Sequence, residues 1–172
     1  KSSISDREMT CNVMQQITNA FRSSSFPKIH LIHGNMSSEE VAALFRSKNI
    51  HGYITATRGE GYGLPLVDAA ASGIPVVATN WSGHLDFLND KFLKVDYSLV
   101  EIPSERIDGR IFTKGTRWAE PDKNSFIEQV KYLKENYKKC LDTSASLRKN
   151  IKKKLTKQKV CKNYEKLFKE II

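Results

Sequence analysis

Residues 57–79, T-R-G-E-G-Y-G-L-P-L-V-D-A-A-A-S-G-I-P-V-V-A-T, decide how this chain is read. Gly59, Gly61 and Gly63 predict a turn whose backbone can adopt positive φ and come close to a ligand. Pro65 suits the first position of a helix, Ala69 to Ala71 continue it, and Gly73 is placed to end it. Residues 75–79 (PVVAT) then predict a strand, with its proline at the first position, where a missing N–H matters least. Residues 52–57 (GYITAT) predict another strand just upstream.

Working outward, the alternation continues. Residues 6–21 predict a helix carrying Met9, Val13, Ile17 and Phe21 on one face. After Pro27, residues 28–33 (KIHLIH) read as a short apolar strand, and Gly34-Asn35-Met36 as a turn. Ser37 or Ser38 caps the next helix, with Glu40 placed for a capping box and Val41, Leu44 and Phe45 facing inward. The pattern is poorer from 81 to 120, where 92–102 holds one or two irregular strands. Asp122 caps a helix with Phe126, Val130 and Leu133 on its buried side, and a final helix runs from Cys140 to the end. Its stripe comprises Leu147, Ile151, Leu155, Tyr164, Leu167, Phe168 and Ile171. Helices alternating with short apolar strands predict an α/β fold. It is a Rossmann-like parallel sheet with helices on both faces and right-handed crossovers, followed by C-terminal helices. The expected division is a nucleotide-binding domain over 1–140 and a basic helical tail over 141–172.

Composition bounds the rest. With 40% hydrophobic and 27% charged residues, the chain is neither collagen-like nor disordered. No apolar run approaches the roughly 20 residues of a membrane span. The formal charge of +9 belongs to the tail: residues 148–172 hold ten Lys/Arg against Glu165 and Glu170, while the first 147 hold eighteen Lys/Arg against seventeen Asp/Glu. The whole surface is therefore not built for nucleic acid. Cys11, Cys140 and Cys161 form no CxxC, so neither a disulfide framework nor a zinc site is expected, and a cytoplasmic, reducing compartment fits.

In open parallel sheets, ligands bind at the carboxyl ends of strands, where a loop feeds a helix. Residues 57–68 lie at such an end. Free N–H groups and a positive dipole at the Pro65 helix make an anion cradle suited to phosphate. Glu60 lies inside it, and an ionised carboxylate there suits sugar hydroxyls, which donate to it. Asp68, one turn into the helix, suits a second diol such as a ribose. The same glycines also suit a plain tight turn, and an acid at this end of a helix also complements its dipole, worth about 0.3–1 kcal/mol.

The string G-E-G-Y-G-L-P-L-V-D-A-A-A-S-G-I-P-V-V-A-T, with Asn80-Trp81-Ser82-Gly83-His84-Leu85-Asp86-Phe87-Leu88 and Arg117-Trp118-Ala119-Glu120-Pro121-Asp122 after it, resembles the group-1 retaining glycosyltransferases. Their donor-binding domain carries an E-x7-E motif, here E-x7-D from Glu60 to Asp68. The resemblance covers most of 28–135. It implies the C-terminal half of a two-domain GT-B enzyme that transfers a sugar, with retention, from a UDP- or GDP-linked donor. By position, Glu60 contacts the donor sugar at the catalytic centre, in a positioning role rather than as nucleophile. The N–H groups of Gly61, Tyr62, Gly63 and Leu64 face sugar or diphosphate, and Asp68 binds the ribose. Arg58 helps neutralise phosphate or is an ordinary surface arginine. His33, Gly34 and Asn35 occupy the place of the nucleobase.

The family's opening strand and its Arg and Lys are not found, Lys1 to Ser3 reading as the stump of a second strand. The acceptor-binding N-terminal domain is also missing, so a fragment that is inactive alone is expected. No DxD sequence is present, so neither metal nor cofactor is expected. His33 and His84 read as structural or as donor contacts, and Trp81 and Trp118 as packing residues. The tail reads as a docked helix with a solvated lysine face, with an anionic membrane surface as the next partner and nucleic acid behind it. The competing functions are a non-catalytic Rossmann-like module associating through that tail, and a sugar-nucleotide epimerase.

Overall fold

The computed structural model describes residues 4–22 and 27–171, so the expected strand stump at Lys1 to Ser3 lies outside the described residues. The chain forms two compact units, Lys1–Val41 and Ala42–Ile172.

In the first unit, α1 (Ile4–Phe21) matches the predicted helix. The stripe on its one face, Met9, Val13, Ile17 and Phe21, is exposed throughout, Phe21 at 83%. Residues 28–33 form no strand, which corrects the expectation. An apolar run becomes a strand only when its N–H and C=O groups find a ladder. No described strand pairs with this run, and Ile29 and Ile32 stay exposed. The capping box is as predicted. The Ser37 N–H donates to Glu40 Oε2 at 2.7 Å and the Glu40 N–H donates to Ser37 Oγ at 3.2 Å. The helix they start is α2 (Ser38–Arg46), whose last residues pass into the second unit.

The second unit is built on a three-stranded parallel sheet, β1 (Tyr53–Ile54), β2 (Val76–Thr79) and β3 (Leu93–Val95), with β2 in the centre. Register is Tyr53 opposite Val76 and Val77 opposite Leu93. β1 is shorter than predicted, although the Thr55 N–H still donates to the Val77 carbonyl at 2.9 Å. Between β1 and β2 runs α3 (Leu64–Ser72), and its C-cap is Gly73 in the left-handed region at φ 85°. The Gly73 N–H donates to the carbonyls of Ala69 and Ala70, which closes the helix as the sequence predicted. The short α4 (Leu85–Leu88) follows β2. Residues 92–102, expected to hold one or two irregular strands, contain β3 and β4 (Tyr97–Glu101), the latter paired antiparallel with β5 (Arg117–Pro121) in a separate ribbon.

Both sheet faces are covered, because the period-two alternation of β2 sends residues to opposite sides. Val76 and Ala78 pack with Leu66, Ala69 and Ala70 of α3 and with Leu147 and Ile151 of α6 (Tyr137–Lys154). Val77 packs on the other side with Val95, Leu133 and Cys140, with Phe126 and Val130 of α5 (Lys123–Glu135) beside them. Asp122 caps α5 as expected, accepting from the Ser125 N–H at 2.7 Å.

The tail is two helices, not one. α6 ends near Lys154, and α7 (Lys157–Ile171) starts anew with Thr156 Oγ1 accepting from the Lys159 N–H. The first part of the expected stripe, Leu147 and Ile151, is core. The second part is not: α7 has no buried residue. No described helix is long and apolar enough to cross a membrane.

Candidate functional site

The turn between β1 and α3 is held by the loop after β2. Ser82 Oγ donates to the Glu60 carbonyl at 2.5 Å and accepts from the Glu60 N–H at 2.8 Å. The Gly83 N–H donates a second bond to that carbonyl at 3.2 Å. Ser82 adopts φ 91°, a left-handed conformation unusual for a residue with a side chain. Gly83 is packed so tightly that an added Cβ would lie 2.0 Å from the Gly61 carbonyl oxygen. Residue 60 is thus fixed through its main chain, which leaves its half-buried carboxylate available for chemistry.

Only one of the three turn glycines uses the left-handed freedom predicted for them. Gly63 has φ 83° and is the N-cap of α3. At Gly61 an added Cβ would meet nothing within 4 Å, and at Gly59 only Ser82 Oγ at 3.9 Å. These two keep the turn open rather than bent. The N–H groups of Gly61, Tyr62 and Gly63 donate no hydrogen bond among the described residues. Those of Leu64 and Leu66 fall in the first turn of α3, where helical geometry provides no acceptor. Pro65 has no N–H to satisfy. The result is a row of donors at a helix start, with the positive dipole end behind it. Tyr62 is held from below by Phe87, ring centroids 5.2 Å apart. Asp68 is exposed on α3, four residues after exposed Leu64 and so on the same side of the helix.

Arg58 is engaged within the protein. Its Nε and Nη2 donate to both carboxylate oxygens of Glu120, at 2.6 and 2.9 Å, and its guanidinium lies 4.4 Å from the centre of the Trp118 ring. The two charges sustain each other: the Glu120 hydrogen bond raises the guanidinium above its ordinary range, and the Arg58 hydrogen bond lowers the carboxyl. The Trp118 indole adds a small further lowering of Glu120, although its N–H makes no hydrogen bond of normal geometry. Tyr53 on β1 also senses the site. Burial first, and the charge of Glu60 second, push its phenol up.

His84 is fully buried, with Nε2 2.7 Å from the Thr79 carbonyl. A carbonyl only accepts, so Nε2 carries the proton and the ring ties the end of β2 to α4. His33 is half-buried and Gly34 has φ 134°, while Asn35 is exposed; all three belong to the first compact unit. Among the described residues no cluster of three His, Cys, Asp or Glu side chains is placed to hold a metal ion.

Sequence reasoning missed Ser82 and Gly83 as the clamp, Tyr53 as a neighbour of Glu60, and Glu120 as the partner of Arg58. The quoted strings around 80–88 and 117–122 contain three of these four, but their pairing becomes visible only once the strands are in register.

A Rossmann-like α/β unit with an open turn of unbonded amides at the carboxyl end of its sheet has the architecture in which open parallel sheets take their ligands. The comparison with known families makes this particular. The chain belongs to the glycosyltransferase family described as family 4 glycosyltransferase in conflict systems, whose model matches residues 10–163. No curated protein matches the chain.

Proposed function

We propose that this glycosyltransferase domain binds the donor, a nucleoside-diphosphate sugar linked to UDP or GDP, and transfers its sugar with retention in the manner of GT-B enzymes. One observation carries this reading: the unbonded amides from Gly61 to Leu64 stand at the start of α3, beside a Glu60 clamped through its backbone. The carboxylate of Glu60 accepts from the donor-sugar hydroxyls. The amides and the helix dipole stabilise the charge that grows on the diphosphate as its bond to the anomeric carbon breaks, and an acceptor hydroxyl oxygen forms the new bond to that carbon. Asp68 takes the ribose hydroxyls. Its side chain is one methylene shorter than the glutamate of the E-x7-E pattern, so a bridging water completes the contact.

Arg58, bound to Glu120, adds positive potential near the diphosphate rather than a free fork. His33, Gly34 and Asn35 are assigned the nucleobase on chain position alone. The acceptor belongs to a separate N-terminal half, so the domain by itself binds donor and turns over little.

The test is titration of the protein with UDP- and GDP-sugars, with Glu60→Ala and Asp68→Ala beside it. Loss of affinity in both variants is expected, and unchanged affinity in both would overturn the assignment.

α7 favours one addition. Its five lysines and its exposed Val160, Tyr164, Leu167 and Phe168 suit the surface of an anionic bilayer. Co-sedimentation with phosphatidylserine vesicles, lost in high salt, is the expected sign. Sedimentation with uncharged vesicles alone would argue against it.

A further inference from the structure

The loop from Thr79 to His84 carries the Ser82 clamp, and a side chain joins its two ends. The Thr79 carbonyl, at the end of β2, accepts from the Trp81 N–H at 2.8 Å and from His84 Nε2 at 2.7 Å. A carbonyl oxygen has two lone pairs, so both are taken and the chain is turned back on itself there. The start of the loop is anchored as well, because the Asn80 N–H donates to the Val95 carbonyl of β3 at 2.9 Å.

Three observations set His84 apart from an ordinary core residue. First, the ring carries an unmet acceptor: Nδ1 is shut off from water with no hydrogen-bond partner among the described residues. A buried acceptor without a partner lowers stability, and an aliphatic side chain would avoid that loss. What the imidazole supplies and an aliphatic group does not is the bond from Nε2. Second, the residue lies against the donor turn: a Cβ added to Gly63, the N-cap of α3, would stand 3.4 Å from His84 Cβ. Third, Ser82 inside the loop is held at φ 91°. A strained conformation of this kind persists only where its surroundings over-determine it. The bonds to Glu60 constrain Ser82 from one side, and the closed loop constrains it from the other.

We propose that His84 is the positioning residue of the Glu60 turn: its Nε2–H bond to the Thr79 carbonyl closes the 79–84 loop and holds Ser82 and Gly83 in place against the Glu60 main chain. The ring is fully buried and touches no ligand, so it acts through those two residues. That the positioned turn serves a nucleoside-diphosphate sugar rests on the reading given above; the coupling itself rests on the loop.

The full chain is studied with three variants. His84→Gln places an amide N–H near the former Nε2 position, His84→Asn carries the same amide too short to reach it, and His84→Phe keeps a ring without a donor. In the parent, nitrogen NMR of the imidazole is expected to show a protonated Nε2 and a bare Nδ1. Hydrogen exchange of the ligand-free proteins reads the clamp itself, since the N–H groups of Glu60 and Gly83 are both bonded within it. Relative to the Thr55 N–H, which donates to the Val77 carbonyl within the sheet and tracks general stability, these two amides should exchange about tenfold faster in His84→Asn and His84→Phe. UDP- and GDP-glucose affinity should fall about tenfold in the same two variants. His84→Gln should restore both readings to within about threefold of the parent.

A ring protonated at Nδ1 overturns the proposal, and this needs no variant to fold. So does exchange at Glu60 and Gly83 that changes only in step with Thr55, or a His84→Gln protein no better than His84→Asn. The two readings fail separately. Selective loss of protection, rescued by Gln, in a parent that binds neither nucleotide sugar keeps the positioning role and sinks the donor reading. A parent and variants that all bind donor equally well keep the donor site and sink the positioning role.

Discussion

The main chain of Gly83 is pressed against the carbonyl of Gly61: an added Cβ would stand 2.0 Å from that oxygen and 3.1 Å from the carbonyl oxygen of Glu60. Backbone cannot step aside as a side-chain end can. Gly83→Ala is therefore expected to destabilise the second unit by about 1–3 kcal/mol and to displace the turn. Gly61→Ala is the matched control, since its Cβ meets nothing within 4 Å. It is expected to keep stability within about 0.5 kcal/mol. If the turn amides hold a diphosphate, it should still weaken nucleotide-sugar binding about tenfold, or ~1.4 kcal/mol. Denaturant midpoints and calorimetric titration of both variants separate the two effects. A Gly61→Ala protein with full donor affinity would remove the ligand from this turn.

Ser82 combines a strained backbone with two hydrogen bonds to Glu60. Ser82→Ala loses the bonds and keeps the strain, and is expected to cost about 1–2 kcal/mol. Ser82→Gly loses the same bonds but relieves the positive φ, and should recover about 1 kcal/mol of that loss. Equal stabilities of the two variants in urea would show that the left-handed conformation is not maintained in solution.

The two tail helices differ in what they hold together. Leu147 of α6 is 1% exposed inside the α3 cluster, so Leu147→Ala is expected to cost about 2–5 kcal/mol. Ending the chain after Thr156 removes α7, which has no buried residue. That truncation should leave the urea midpoint within about 0.5 kcal/mol of the parent. A large loss would mean that α7 covers a surface within the molecule.

Tyr53 offers a ligand-free check on where Glu60 lies. The charge of Glu60 is the second contributor, after burial, to the raised phenol. Removing it in Glu60→Gln is expected to lower the pH at which Tyr53 ionises, without bringing it fully back, because burial remains. Carbon NMR of the Tyr53 Cζ through an alkaline titration reads this. An unmoved Tyr53 would place the Glu60 carboxylate elsewhere.

Acid should loosen the turn that Asp108 holds, where its Oδ1 accepts from the N–H groups of Arg110, Ile111 and Phe112. Three backbone N–H groups hold this exposed carboxyl below the usual aspartate range. A lowered folded-state value means that the interaction is complete above the unfolded value of about 3.9 and is lost as pH falls through the lower, folded one. Amide shifts of Arg110, Ile111 and Phe112 should therefore move together with a midpoint below pH 3.9, and Asp108→Asn should abolish that common midpoint. A midpoint at or above the ordinary value would contradict the turn.

Much of the second unit was legible because its signals are local. Pro65 and Gly73 mark both ends of α3, and Asp122 marks the start of α5, each by a conformation or hydrogen bond made within four residues. Residues 28–33 were misread for the opposite reason. Their apolar character is real, but a strand is defined by a partner ladder, and composition does not reveal one. β5 escaped because Arg117-Trp118-Ala119-Glu120-Pro121 carries two charges and a proline, and only pairing with β4 makes it a strand. The site shows the same divide. Glu60, Gly63 and Asp68 stand out from their spacing along the chain. The Arg58–Glu120 pair spans 62 residues, and the Ser82 clamp reaches Glu60 across 22.

Three residues of β2 supply both hydrophobic clusters, Val76 and Ala78 to one and Val77 to the other, and α6 does likewise through Leu147, Ile151 and Cys140. Neither layer can melt while the other persists, since each would pull out a strand and a helix that its neighbour needs. Heat should therefore take these layers in a single cooperative step, and damage to one face of the sheet will be felt on the other.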